Sequence, residues 1–207
     1  MNNKTIVTLA LVICSFCTTA VAQVKKENNF SAFEQVKNSI VSKIKLNQIS
    51  IMQIQVGQQA PDFSLFDSDK KEVKLSDYKG KKVVLYFYPE DDTPTCTVQA
   101  CNLRDNFELL KQRGIVVLGV SPDEEKKHKK FEIKYKLPFT LITDPDHTII
   151  DKYGVWGEKQ LYGRTYMGLH RTTFLIDEKG IVKKIFLKPK SKQHTEEILN
   201  AWQLIDK

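Results

Sequence analysis

The chain has little cysteine: four residues in 207, at positions 14, 17, 96 and 101. Its four histidines, His128, His147, His170 and His194, stand at no ligand spacing from one another or from the cysteines, which argues against a zinc site. The nine glycines never gather into a phosphate-binding loop, and no serine elbow of the hydrolase kind is present. No cofactor and no metal are therefore expected. The apolar stretch from Ile6 to Phe16 is too short to span a bilayer. A basic stripe interleaved with aromatics is also missing, so nucleic acid is not an expected partner. Internal repeats and low-complexity tracts are absent as well.

What is present begins with an uneven charge. The net charge is +7, but residues 1–56 carry six lysines against two acidic residues, while residues 57–207 carry 26 Lys and Arg against 23 acidic residues. Lys126-Lys127-His128-Lys129-Lys130 reads most simply as the solvated face of a helix. Lys4, the stretch Ile6 to Phe16 and Ala20-Val21-Ala22 before Gln23 read as a secretory signal over residues 1–22. The protein is thus expected to be exported, periplasmic or extracytoplasmic, with no stable membrane insertion after cleavage. A retained anchor is the alternative, and neither Cys14 nor Cys17 follows the small residues a lipoprotein site would want. Residues 23–55 form a polar linker in which Ser31-Ala32-Phe33-Glu34 is a capping box. Phe33, Ile40 and Ile44 then share one face of a helix from about Ala32 to Leu46. That segment is either a spacer or a helix that docks on a domain or partner.

Cleavage would leave Cys96 and Cys101 as the only cysteines, and an exported protein usually keeps such a pair as a structural disulfide. The stretch around them points elsewhere. Val83 to Tyr88 is an unbroken β-branched and aromatic run, a strand buried on both faces, which Pro89 ends. Glu90, Asp91 and Asp92 make a polar turn. Thr93 then reads as an N-cap and Pro94 as the first helical residue, which sets Cys96 in the first turn, at the positive end of the helix dipole. That position favours the thiolate, the nucleophilic form. Cys101 lies five residues further along the same helix, which separates the two Cα atoms by roughly 8.7 Å. A disulfide needs about 7 Å or less, so the pair bonds only if a turn unwinds. A structural bridge needs no such device; a reversible pair could use it as a switch.

Pro89-x-x-x-Thr93-x-x-Cys96, followed by x-x-x-x-Cys101, resembles the active-site signature of the peroxiredoxins, and most closely that of the peroxiredoxin Q or bacterioferritin-comigratory-protein subfamily. The likeness runs from about Val56 to the C-terminus and includes Ala60-Pro61-Asp62-Phe63 and Arg171-Thr172-Thr173-Phe174-Leu175-Ile176-Asp177. It implies a thioredoxin-dependent thiol peroxidase of hydrogen peroxide and organic hydroperoxides. In this reading Cys96 is peroxidatic and Cys101 resolving. Thr93, the Cys96 backbone N–H and Arg171 stabilise charge, and Pro89 shields the thiolate. The implied partners are a hydroperoxide and thioredoxin or, for an exported copy, an extracytoplasmic thioredoxin-like donor; a monomer is expected. A thiol–disulfide exchanger would show C-x-x-C, which this chain lacks. An exported binding module with a structural bridge is a second alternative, and chaperone or peroxide-signalling activity a third.

The remaining pattern gives the fold. Phe63 to Phe66 and Glu72 to Leu75 read as a short hairpin. The active-site helix is expected to run to about Gln112, and Ile115 to Val120 to be a second buried strand. Ser121-Pro122 opens a helix to Tyr135, with Ser121 as N-cap. Phe139 to Thr143 is a strand, and a helix from Asp144-Pro145-Asp146 ends near Gly154. Gly154 to Leu169 reads as a loop carrying aromatics. Thr172 to Asp177 and Ile181 to Phe186 form a hairpin, and Thr195 to Ile205 a terminal helix. The expected fold class is α/β, a central mixed β-sheet flanked by helices over residues 56–207, which resembles the thioredoxin-like fold.

Overall fold

The computed structural model describes residues 54–161 and 163–206. The expected signal over 1–22 and the helix from Ala32 to Leu46 lie outside those residues. In chain order the elements are β1 (Ser64–Asp67), β2 (Glu72–Lys74), β3 (Lys82–Phe87), α1 (Pro94–Asp105), α2 (Phe107–Gln112), β4 (Ile115–Ser121), α3 (Glu125–Tyr135) and β5 (Thr140–Thr143). They continue with α4 (Thr148–Lys152), β6 (Trp156–Leu161), β7 (Arg164–Leu169), β8 (Thr172–Ile176), β9 (Val182–Phe186) and α5 (His194–Ile205). Seven strands form one sheet in the order β2-β1-β5-β4-β3-β8-β9. β3, β4 and β5 run parallel, and β8 pairs antiparallel with β3. This is the mixed sheet of a thioredoxin-like α/β fold.

β3 and β8 sit at the middle because their sequences have no polar face to offer water. Val83 to Phe87 and all of β8 are buried. Side chains alternate across the pleat. Val83, Leu85 and Phe87 pack on one face with Phe63, Tyr153 and Phe174. Val84, Tyr86 and Tyr88 pack on the other with Cys96, Leu103, Phe131 and Trp202, so α1, α3 and α5 share the cysteine face. Gly119 of β4 makes room there: a Cβ at that position would lie 2.7 Å from the Tyr86 hydroxyl. Among the described residues no helix is long and apolar enough to cross a membrane.

Four local readings are corrected. The active-site helix is two helices, broken at Asn106, whose side-chain amide donates to the Asn102 carbonyl at 2.8 Å and competes with the backbone ladder. Ser121 is the last residue of β4 rather than an N-cap; its hydroxyl serves Asp123, and Glu124 caps α3. Gly154 to Leu169 is mostly a hairpin, β6 against β7. Among the described residues that ribbon pairs with no other strand, so its sequence carries little of the alternation that marks a half-buried sheet. Finally, His128 is not on a solvated face but fully buried between lysines that are not.

Candidate active site

The site forms where β3 hands over to α1. Thr93 is extended (φ −79°, ψ 151°) at the N-cap position and Pro94 opens the helix. Thr93 makes no side-chain cap bond; its hydroxyl donates instead to the Glu90 carbonyl at 3.1 Å, closing the loop on itself. Its carbonyl accepts the Thr97 N–H at 2.9 Å, the first bond of the helix. The N–H groups of Thr95 and Cys96 therefore precede the ladder, and find no protein partner among the described residues. Cys96 is 2% exposed. Pro89 stands half-buried just after β3.

Arg171 reaches this point from the start of β8, which register places beside the end of β3 through the pair Phe87–Thr172. Its Nη2 lies 3.0 Å from Cys96 Sγ, and its Nη1 donates to Gln99 Oε1. One guanidinium fork thus spans the thiol and an amide one turn along α1. Gln99 is fully buried, and its Nε2 has no partner among the described residues. Nothing local singles it out, since a lone Gln in a helix reads as surface. Its one available signal was spacing, three residues beyond Cys96 on the same face.

Behind the thiol, burial first, and the carboxylate of Asp91 second, push the Tyr86 hydroxyl well above its ordinary pKa, and that hydroxyl finds no hydrogen-bond partner among the described residues. Burial likewise dominates at His194, pushing the ring down to about 4; the Glu197 carboxylate 3.5 Å away opposes it only in part, and the Arg171 charge acts in the same direction as burial. His194 Nε2 instead pairs with the Thr173 hydroxyl at 3.0 Å.

Cys96 and Cys101 both lie on α1 as free thiols, Cys101 half-buried. The intact helix brings Cys96 to Arg171 and keeps Cys101 away. The half of α1 beyond Cys101 is anchored: Asn102 Oδ1 accepts the Thr195 N–H at 2.8 Å, and Arg104 Nη1 donates to the Tyr135 carbonyl at 2.8 Å. Among the described residues no histidine joins a cysteine in a cluster of three ligand-type side chains. The one triad of metal-ligand type among the described residues, Asp91, Asp123 and His128, is already joined by its own hydrogen bonds.

Residues 56–185 match the AhpC/TSA family. The chain belongs to that family. Within it, Peroxiredoxin Bcp of Bacillus subtilis is 48% identical over 150 residues, covering 72% of this chain and 96% of the relative. Peroxiredoxin Bcp of Escherichia coli is 47% identical over 147 residues, covering 71% and 94%. Among solved structures, the Xanthomonas campestris bacterioferritin comigratory protein, described for alkyl peroxide reduction, superposes with a TM-score of 0.66 at 31% identity, covering 70% of this chain and 92% of that one. A cysteine mutant of Xylella fastidiosa PrxQ gives a TM-score of 0.70 at 30% identity, covering 75% and 99%. The protein is accordingly a peroxiredoxin of the Bcp group, a thiol peroxidase, and a hydroperoxide and a thioredoxin-type reductant are partners that suit it.

Proposed function

We propose that Cys96 is the peroxidatic residue and Cys101 the resolving one in the reduction of hydrogen peroxide and alkyl hydroperoxides. The observation that carries this reading is the Arg171 guanidinium 3.0 Å from a buried Cys96 sulfur in the first turn of α1. The Cys96 thiolate attacks one peroxide oxygen; the S–O bond forms as the O–O bond breaks, and the departing alkoxide or hydroxide leaves as alcohol or water after taking a proton. Sulfur is oxidised to a sulfenic acid by the electron pair the peroxide gains. Arg171 and the free N–H groups of Thr95 and Cys96 face the charge that moves. Thr93 closes the loop that sets this geometry, and Pro89 limits water at its edge. Cys101 thiolate then displaces hydroxide from the sulfenic sulfur, giving a disulfide and water, and a dithiol of thioredoxin type takes the disulfide back to thiols.

In this reading residues 1–22 are a signal, 23–55 a linker and 56–207 the catalytic domain. The enzyme works outside the cytoplasm as a monomer with a thioredoxin-like donor. The chain starting at Gln23, supplied with thioredoxin and its reductase, is expected to consume hydrogen peroxide and an alkyl hydroperoxide catalytically and to elute as a monomer. Failure to turn over either peroxide, with the disulfide still reducible by the donor, would contradict the assignment.

A further inference from the structure

The loop between β3 and α1 carries three carboxylates in a row, Glu90, Asp91 and Asp92, and each one meets a partner on α3. Glu90 pairs with Lys127 at 2.7 Å. Asp92, held at a left-handed φ of 60°, pairs with Lys134 at 2.7 Å and accepts the Tyr135 hydroxyl at 2.6 Å. Both of these acid–lysine pairs are solvent-exposed, and exposed pairs contribute little. The middle one differs. Asp91 is 2% exposed and His128 fully buried, with His128 Nδ1 2.6 Å from Asp91 Oδ2.

The other carboxylate oxygen of Asp91 and its N–H are tied as well. Its Oδ1 accepts the Tyr88 hydroxyl at 2.7 Å, and its N–H donates to Asp123 Oδ2 at 2.6 Å. On the far side, His128 Nε2 lies 3.2 Å from the Ile142 carbonyl of β5. Both ring nitrogens therefore face oxygen atoms, one of the loop and one of the sheet. Phe131, one turn along α3, packs against Tyr88 and closes the cluster. The charged groups near the pair are Asp123, from the β4–α3 turn, Lys127 beyond it, 2.8 Å from Asp123, and Glu132, one turn along α3 from His128. Asp91 is thus tied to the residue after β3, to the β4–α3 turn and, through His128, to α3 and β5, although it belongs to a loop.

We propose that His128 is a positioning residue for Cys96: acting through Asp91, it holds the loop of residues 89–93 in the form that sets the first turn of α1 against Arg171. The inference rests on the peroxidatic reading of Cys96. Peroxide reacts with Cys96 only while that turn is folded, and Cys101 is reached only when it unwinds. A clamp that favours the folded turn speeds the first oxidation. It also leaves the sulfenic acid longer in the form where a second peroxide oxidises it to sulfinic acid, itself becoming alcohol or water.

Two variants test this. His128→Leu removes both ring nitrogens, and His128→Gln keeps an amide donor within reach of Asp91. Each is treated with excess peroxide, and rates and sulfinic acid are scored per folded molecule, by stopped-flow fluorescence and intact mass. His128→Leu is expected to lower the oxidation rate constant and the sulfinic-to-disulfide ratio together by about tenfold, a shift of the folded population by that factor. His128→Gln is expected to fall between it and wild type. A merely structural histidine would lower the melting temperature and leave both readouts at the wild-type value, which overturns the proposal. If His128→Leu does not fold, His128→Gln decides: a ratio equal to wild type refutes the clamp. Wild type run alongside separates the two claims, since a wild type that forms no Cys96–Cys101 disulfide contradicts the peroxidatic reading instead.

Discussion

Cys96→Ser leaves peroxide consumption at the uncatalysed rate, a loss of at least about four orders of magnitude, because a serine hydroxyl is scarcely ionised at neutral pH and the thiolate is the reacting form. No other group stands ready to substitute. Cys101 is on the same helix but roughly 8.7 Å away at Cα for an intact turn, and makes no contact with Arg171 among the described residues. Serine is nearly the size of cysteine, so the buried site keeps its packing and the melting temperature should stay close to wild type. The check is turnover at saturating reductant, with melting measured on the same sample. Residual turnover above about a hundredth of wild type would move the nucleophile elsewhere.

Arg171→Met slows the first oxidation by about 10²–10³-fold, the usual cost of removing one well-aimed donor from developing charge. The guanidinium makes two bonds at once, one to Cys96 Sγ and one to Gln99 Oε1. Losing it takes the cation from the thiolate and also leaves a buried amide oxygen unpaired, which costs about 1–3 kcal/mol of stability. The two effects separate in Arg171→Lys. An ammonium restores charge but lacks the planar fork that reaches both partners, so oxidation should recover only in part. Stopped-flow oxidation by stoichiometric peroxide, corrected for the folded fraction, measures it. A rate loss no larger than the loss of folded protein would make Arg171 structural.

Much of this site was legible because its signals are local. Thr93-Pro94 before a helical pattern marks a first turn, and that alone placed Cys96 at the helix start; spacing alone placed Cys101 out of reach. Arg171 was legible only through the family block it begins, since nothing local distinguishes it from a surface arginine. His128 was misread because four lysines surround it. Yet His128, Phe131 and Tyr135 fall at i, i+3 and i+7, a stripe facing the sheet, and weighing spacing over composition would have buried the ring. Gln99 and the β6–β7 ribbon were hidden for different reasons. A buried polar side chain depends on a partner 72 residues away, and a two-stranded ribbon has no core face to write into sequence.

The central claim, that one helix must fold for peroxide and unwind for Cys101, is tested most directly by amide hydrogen exchange on the reduced and the singly oxidised protein. The first turn of α1 is held by Arg171 and the loop, whereas Asn102 and Arg104 tie the far half to α5 and α3. Opening should therefore stop near Asn102. After one equivalent of peroxide, amides from Thr97 to Cys101 should lose protection, Leu103 to Asp105 should lose little, and Val83 to Phe87 of β3 should be unchanged. Peptide mapping of the same sample should find Cys96 joined to Cys101. An oxidised protein that keeps α1 protected through Cys101 would contradict the account, and would require the sulfenic acid to be resolved by a thiol from another molecule.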